Sequence, residues 1–502
     1  MRSIIFALLA FLIVSTDSGL YPAQLLANAS EAESPGPLLW AATRHGNSEA
    51  QARLLDYATT TDDARARDYW LEQLVSVDDP EAAWLLYQQA GPEQSADSLM
   101  RLAARGNVPE AQLEFAMDTD APQKREKWLM KAAEQGYQPA QAALADWYLL
   151  QQQPNAALPW LEKTAQDYPQ SAFKLGRLLW SQHQREAAGH WLQVAADSGH
   201  EQAQRFTRVM HHFQPQTLAS VTTQPWPKTS QCHQRIQMFA TSLSSIERAS
   251  HLYQDWQNDT RLDNVGICIA APLWIEDEAF TCSANYKQQG RLGCDLRPLA
   301  DAVEKREATH IIVVSDLGIA NVNNGAMFLD ISDSYSVMVH ELAHFAGFVD
   351  EYPLSRSAAR KHCKVTDAPN LVVDGKMTYR PVTTALRWQQ SGRLTGISES
   401  KSCEAIGQKA YKPSRQITFL EHHDSGVIPP VYLRLWQQQL ENPQAQRPVY
   451  MNLFQAFHYA GNQQAAGKWL DKYNAFTQPA SAQPAAQEQG ADDPAARPVA
   501  VD

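Results

Sequence analysis

The stretch Val337–Tyr352, VMVHELAHFAGFVDEY, gathers residue types that do metal chemistry. His340, Glu341 and His344 form an HExxH pattern. On a helix, residues i and i+4 stand one above the other, so two imidazoles at this spacing offer one metal ion two nitrogens. Glu341 lies about 100° round the axis from His340, placed to hold a water beside the ion and take its proton. Met338, Leu342 and Phe345 recur at helical spacing on the opposite face, which seats the helix in a core. A catalytic zinc takes three protein ligands and leaves a fourth position open. Gly347 accepts positive φ and lets the chain turn back toward the ion. Asp350 then falls where the extended HExxHxxGxxH pattern puts its third histidine, and a carboxylate is an accepted zinc ligand. Glu351 is the alternative third ligand, at a spacing that fits less well. The competing reading is a buried helix whose two histidines are merely hydrogen-bonded. We expect one zinc per chain on His340, His344 and Asp350, with Glu341 as general base.

HELAHFAGFVDEY resembles the signature of the zinc metallopeptidases of the IgA-peptidase family, a metzincin-like group with the general form HExxHxxGxxD. Downstream, APNLV (Ala368–Val372), Trp388 and the segment Glu404–Phe419 resemble further elements of that family. The resemblance covers residues 233–425 and implies hydrolysis of peptide bonds in a protein or peptide substrate. It also implies that Tyr411 lies near the metal and helps stabilise the oxyanion. The sequence departs from the family at Ala343, Lys412 and Phe419. Phe419 stands where the methionine of the turn beneath the metal is expected, and Met377 is a possible substitute. Elsewhere, EHHDS (Glu421–Ser425) reads as a solvated loop, because adjacent histidines point to different faces.

The elements around the motif alternate in type. NVGICIAAPLWI and THIIVVSDLG are short apolar runs rich in β-branched residues, LRPLADAVEKREA between them is helical, and AMFLDIS is a further strand before the motif helix. Alternating strands and helices imply an α/β layer. AMFLDIS, read as an edge strand, would hold an extended substrate by main-chain pairing. Six cysteines, Cys232, Cys268, Cys282, Cys294, Cys363 and Cys403, all fall in this half. Their even number and the lack of any CxxC pair favour disulfides over a thiolate site, with fifteen connectivities open.

The first half repeats itself. An equivalent alanine recurs at Ala50, Ala82, Ala111, Ala140, Ala172 and Ala203, at intervals of 32, 29, 29, 32 and 31 residues. Such periods read as stacked helix pairs, with alanine allowing close approach. Trp-Leu pairs (Trp70-Leu71, Trp128-Leu129, Trp160-Leu161, Trp191-Leu192) precede several of them, the tryptophan being expected to fill the gap between repeats. Lys131–Gln141, KAAEQGYQPAQ, resembles the Sel-one-like branch of the tetratricopeptide superfamily, which implies a protein partner on the repeats.

The remaining segments complete a multidomain plan. Residues 1–29 have the layout of a cleaved signal peptide, with processing near Ala27 or Ala29. The repeats follow over 37–210 as an all-α solenoid, then a Pro- and Thr-rich linker over 211–231. An α/β metzincin-like metallopeptidase domain occupies 232–427, a short C-terminal helical segment 428–476, and a low-bulk tail 477–502 is expected to be disordered. Cleavage of the leader and the absence of a cysteine before Cys232 for lipidation predict a periplasmic or secreted protein without stable membrane insertion. The net charge of −12 disfavours nucleic acid as a partner. The sequence therefore reads as an exported zinc endopeptidase whose repeats recruit a partner or substrate. The alternative is a non-catalytic scaffold with a degenerate metallopeptidase-like domain.

Overall fold

The computed structural model describes residues 20–90, 97–227, 231–276, 278–363, 368–373, 386, 388–391, 394 and 396–478. The chain divides into two compact units, Met1–Thr207 and Arg208–Asp502.

The first unit is a run of antiparallel helix pairs, for example Pro122–Glu134 with Gln138–Leu150, and Pro154–Thr164 with Pro169–Ser181. The six recurring alanines are all fully buried, and so are the leucines of the Trp-Leu pairs. A methyl group is the largest side chain that lets backbones approach this closely, which explains the spacing of the repeat. The tryptophans behave differently from expectation. Trp70 is buried, but Trp128, Trp160 and Trp191 are half-exposed, and Lys131 and Lys163 lie 4.4 Å over the rings of Trp128 and Trp160. Leucine fills the gap, while the larger indole shields it from outside. A second regularity lies in the AQ pair of the repeat. Gln112, Gln141 and Gln204 each donate from Nε2 to a carbonyl eight residues earlier (Ala104, Ala133 and Ala196), tying each second helix to the end of its partner.

Helix Leu20–Ala29 belongs to this packing. Leu26 and Ala29 are buried against Leu39, Ala42 and Leu54. A segment expected to leave with the signal peptide is thus part of the first core, whereas residues 1–19 lie outside the described residues.

The second unit is built on a five-stranded sheet, order β2-β1-β5-β7-β6. Its strands are β1 (Gln234–Ala240), β2 (Ile267–Trp274), β5 (His310–Ser315), β6 (Asn321–Asn323) and β7 (Ala326–Asp330). β2, β1, β5 and β7 are parallel, and β6 returns antiparallel to β7. Helix Ala300–Lys305 and the C-terminal helices Tyr450–Tyr459 and Gln463–Thr477 pack through Val303, Leu453 and Trp469 on the sheet face that carries Ile311 and Val313. On the other face the ring of His310 of β5 packs at a tilt, 4.7 Å from that of Phe345 of the motif helix. Two small ribbons complete the unit: β3 (Cys282–Ser283) with β4 (Gly293–Cys294), and β8 (Val372–Val373), β10 (Ala410–Lys412) and β9 (Ser398–Ser400) in that order.

Two expectations change here. AMFLDIS is not the edge strand: β7 lies inside the sheet, and β6 takes the edge. The C-terminal helical segment is tied to the sheet, since Val449 N–H donates to the Thr309 carbonyl and Asn452 Nδ2 to that of Asn323. The stretch read as a linker is fixed to this unit, with Val221 buried in its core and Trp226 Nε1 donating to the Arg306 carbonyl. All six cysteines pair, as Cys232–Cys268, Cys282–Cys294 and Cys363–Cys403. No helix among the described residues is long and apolar enough to cross a membrane. The part of the expected tail from residue 479 onward lies outside the described residues.

Candidate metal centre

The motif forms a helix over Tyr335–Phe345, capped by the Ser334 hydroxyl, which accepts from Val337 N–H. Met338, Leu342 and Phe345 are buried, so the apolar face anchors the helix as its spacing requires. Gly347 ends the helix at φ +79°. No atom lies within 4 Å of where its Cβ would be, so the glycine is needed for conformation and not for room.

From this turn the chain doubles back and brings three ligand atoms together. Asp350 Oδ1 lies 3.0 Å from His340 Nε2 and 3.1 Å from His344 Nε2, and the two Nε2 atoms are 3.3 Å apart. Glu341, half-buried, brings a carboxylate oxygen within 4.8 Å of the histidine nitrogens. The other ring nitrogens fix the tautomers. His340 Nδ1 donates to the Phe419 carbonyl at 2.8 Å, and His344 Nδ1 to the Phe348 carbonyl at 2.9 Å. A carbonyl only accepts, so each neutral imidazole presents a lone pair at Nε2. Asp350 Oδ1 is buried and makes no hydrogen bond of acceptable geometry. Two nitrogen lone pairs and a carboxylate thus face one point, an arrangement that repels itself unless a cation sits there.

The donor set fits zinc. Ligand atoms about 2.0–2.1 Å from a tetrahedral zinc stand about 3.3–3.4 Å apart, close to the separations found here. Without metal, a proton must do the cation's work. The His344 imidazole is pushed up to about 9: burial opposes the charge, and the Asp350 carboxylate more than reverses it. The Asp350 carboxyl is held well below the usual range by the two imidazoles, against the effect of its burial.

Asp350, and not Glu351, is turned toward the histidines. Glu351 is fully buried and accepts from the hydroxyls of Tyr432 (2.6 Å) and Thr418 and from Asn370 Nδ2 (2.9 Å), with Lys412 Nζ 3.5 Å away. Its oxygens are spent holding the loop. Asn370 also clasps Val349 on both sides, accepting from its N–H and donating to its carbonyl, while Trp388 Nε1 fixes the neighbouring Pro369 carbonyl. Ser402 donates to the Asp350 carbonyl and Ser400 to that of Glu351. Phe419 contributes its carbonyl to His340, and its buried ring stacks on Trp436. Met377 lies outside the described residues.

Tyr411 sits on β10, where strand alternation turns it away from the face on which Lys412 meets Glu351. Tyr352 lies beside the cluster. Its ring stacks 6.4 Å from His340, and its phenol is pushed up by burial and the Asp350 carboxylate, with Arg291 opposing. His362 is also within electrostatic reach of Asp350 and His344, though burial pushes its pKa down. Neither residue follows from motif spacing, although Tyr352 closes the signature segment itself. In EHHDS, His423 and Asp424 are exposed and pair with each other, as a solvated turn should.

No family model matches the chain, and no curated protein matches it. Similar solved structures include a protective antigen of uropathogenic Escherichia coli displaying an SLR fold (21% identity, 36% of this chain and 44% of the antigen, TM-score 0.28). A Sel1 repeat protein from Oxalobacter formigenes aligns at 21% identity over 32% of this chain and 76% of its own, TM-score 0.26. An immunity protein from Pseudomonas aeruginosa aligns at 18% identity over 36% of this chain and 83% of its own, TM-score 0.22.

Proposed function

We propose that the protein is an exported zinc-dependent endopeptidase in which His340, His344 and Asp350 hold the metal. The observation that carries this reading is the convergence of three lone-pair atoms, two of them oriented by backbone carbonyls, on one point beside a free carboxylate. A zinc held by His340, His344 and Asp350 would supply Lewis acidity to a peptide carbonyl and a water. Glu341 takes the proton from that water and returns it to the leaving amine. Tyr352, whose ring lies beside His340, donates a hydrogen bond to the oxyanion in this reading, and Tyr411 of β10 is the other tyrosine assigned to that role. The helix pairs of the first unit supply a surface for a protein partner or substrate.

The stacked helix pairs favour a second reading, a non-catalytic interaction scaffold whose second unit binds metal only for structure. One substitution separates the two. In an endopeptidase, Glu341→Gln lowers hydrolysis of a fluorogenic peptide library by about 10²-fold or more while zinc content is unchanged. In a scaffold there is no hydrolysis to lose, and the wild type and the variant behave alike.

A further inference from the structure

We propose that a cavity beside the edge strand β6 is a subsite for an acidic side chain of the substrate, so that the centre prefers extended segments carrying Asp or Glu near the scissile bond. The inference rests on reading the centre as a peptide hydrolase and adds a substrate class to it. The cavity, about 300 Å³, lies between β6, the loop closed by Cys282–Cys294, and helix Tyr450–Tyr459. Asn452 of that helix ties it to β6 through the Asn323 carbonyl.

Two features give the cavity its chemistry. The first is the strand. β6 ends the sheet, and no strand pairs with its outer side among the described residues. Asn323 and Ala326 close a two-residue hairpin, so in the alternating ladder Val322 presents its N–H and C=O to the open side, where an extended peptide can pair. The second is charge. The lining carries Lys287 and Arg291 and no carboxylate, in a chain whose net charge is −12. The nearby Asp295 is engaged by Arg297 at 2.5 Å. Lys287 Nζ lies over the rings of Tyr286 and Tyr459, 5.3 and 5.9 Å from their centroids. The helix that carries His340 and His344, Tyr335–Phe345, packs against β6, so the strand lining the cavity also borders the metal centre. Leu292 and Phe328 add buried apolar lining. Cations beside apolar lining suit a side chain with a methylene stem and a carboxylate tip, which a guanidinium grips with paired hydrogen bonds.

The test uses the full-length, zinc-loaded Glu341→Gln variant and a fluorescein-labelled, alanine-rich dodecapeptide with two central glutamates. Versions with glutamine or lysine in their place serve as comparison. Fluorescence anisotropy is expected to show the glutamate peptide binding at least tenfold tighter than the glutamine peptide at low salt. Added salt should narrow the gap, and Lys287→Ala combined with Arg291→Ala should remove it without changing zinc content. Equal affinities, no binding of the glutamate peptide, or a preference that survives the double substitution overturns the assignment. Cleavage by the wild type separates the two levels. Tight binding without any cleavage overturns the hydrolase reading and leaves the acidic subsite standing, whereas cleavage indifferent to the acidic residues overturns the subsite alone.

Discussion

Three side chains at the centre have their uncommitted atoms aimed at one another, and this sets how the metal-free protein responds to pH. His344 is raised to about 9 in the folded state from an ordinary value near 6.5. A raised pKa contributes stability that is fully present below the unfolded value and is lost as pH rises through the folded one. Asp350 is depressed, so its contribution is present above the ordinary carboxylate range and lost on acidification. The chelator-treated protein should therefore lose thermal stability progressively between about pH 6.5 and 9, and the zinc-loaded protein should not. Melting curves across this window check it; parallel curves for the two forms would contradict the convergent geometry. Glu351, next in sequence, has the opposite role. It is a buried carboxylate satisfied by hydroxyl and amide donors, whereas Asp350 turns its Oδ1 toward the two imidazoles.

At the scale of elements, the loop that carries Asp350 is held from outside by residues far along the chain. Asn370 makes three hydrogen bonds to Val349 and Glu351, and each buried group left unpaired costs about 1–3 kcal/mol. Asn370→Ala should lower the melting temperature and weaken zinc binding about 10–100-fold, as loss of an orienting partner does. A competitive chelator titration measures this, and unchanged affinity would mean that the loop holds itself. Phe419→Ala should cost about 3–5 kcal/mol by opening a cavity against Trp436. Denaturant unfolding reads that loss, and one under about 1 kcal/mol would show that this stacking is not needed.

The motif helix, its packing face and the turn at Gly347 were legible because they depend on local spacing. So were the apolar strands β2 and β5. β1 was not, although it is central. Its segment QRIQMFA mixes Gln234 and Gln237 into a buried run, and these glutamines are fully buried in the fold. Gln237 is satisfied by the adjacent Met238 carbonyl and by two distant partners, the Ala271 carbonyl and the Arg306 guanidinium. The edge position of β6 was equally hidden, because one valine between two asparagines before a turn carries no strand signal of its own. Tyr352 escaped notice for a different reason: its contact with the cluster comes from the chain reversal after Gly347, which spacing alone does not describe.

For the whole molecule, each unit closes its own core with a flanking helical segment. Helices Tyr450–Tyr459 and Gln463–Thr477 cover the sheet, and helix Leu20–Ala29 covers the first repeat. Removing Leu20–Ala29 would uncover Leu39 and Leu54, so if a leader is cleaved the cut should fall before Leu20. Intact mass of the protein purified from its native host checks this. A mature chain beginning at Asn28 or Ser30 would show that the first repeat is stable without its outer helix.

The most direct test of the metal centre is elemental mass spectrometry of purified, chelator-free protein beside its Asp350→Ala variant. The account predicts about one zinc per chain in the wild type and a sharp loss in the variant. No zinc in the wild type, with none retained after reconstitution, would contradict it. The convergence of His340, His344 and Asp350 would then be a protonated ion-pair cluster.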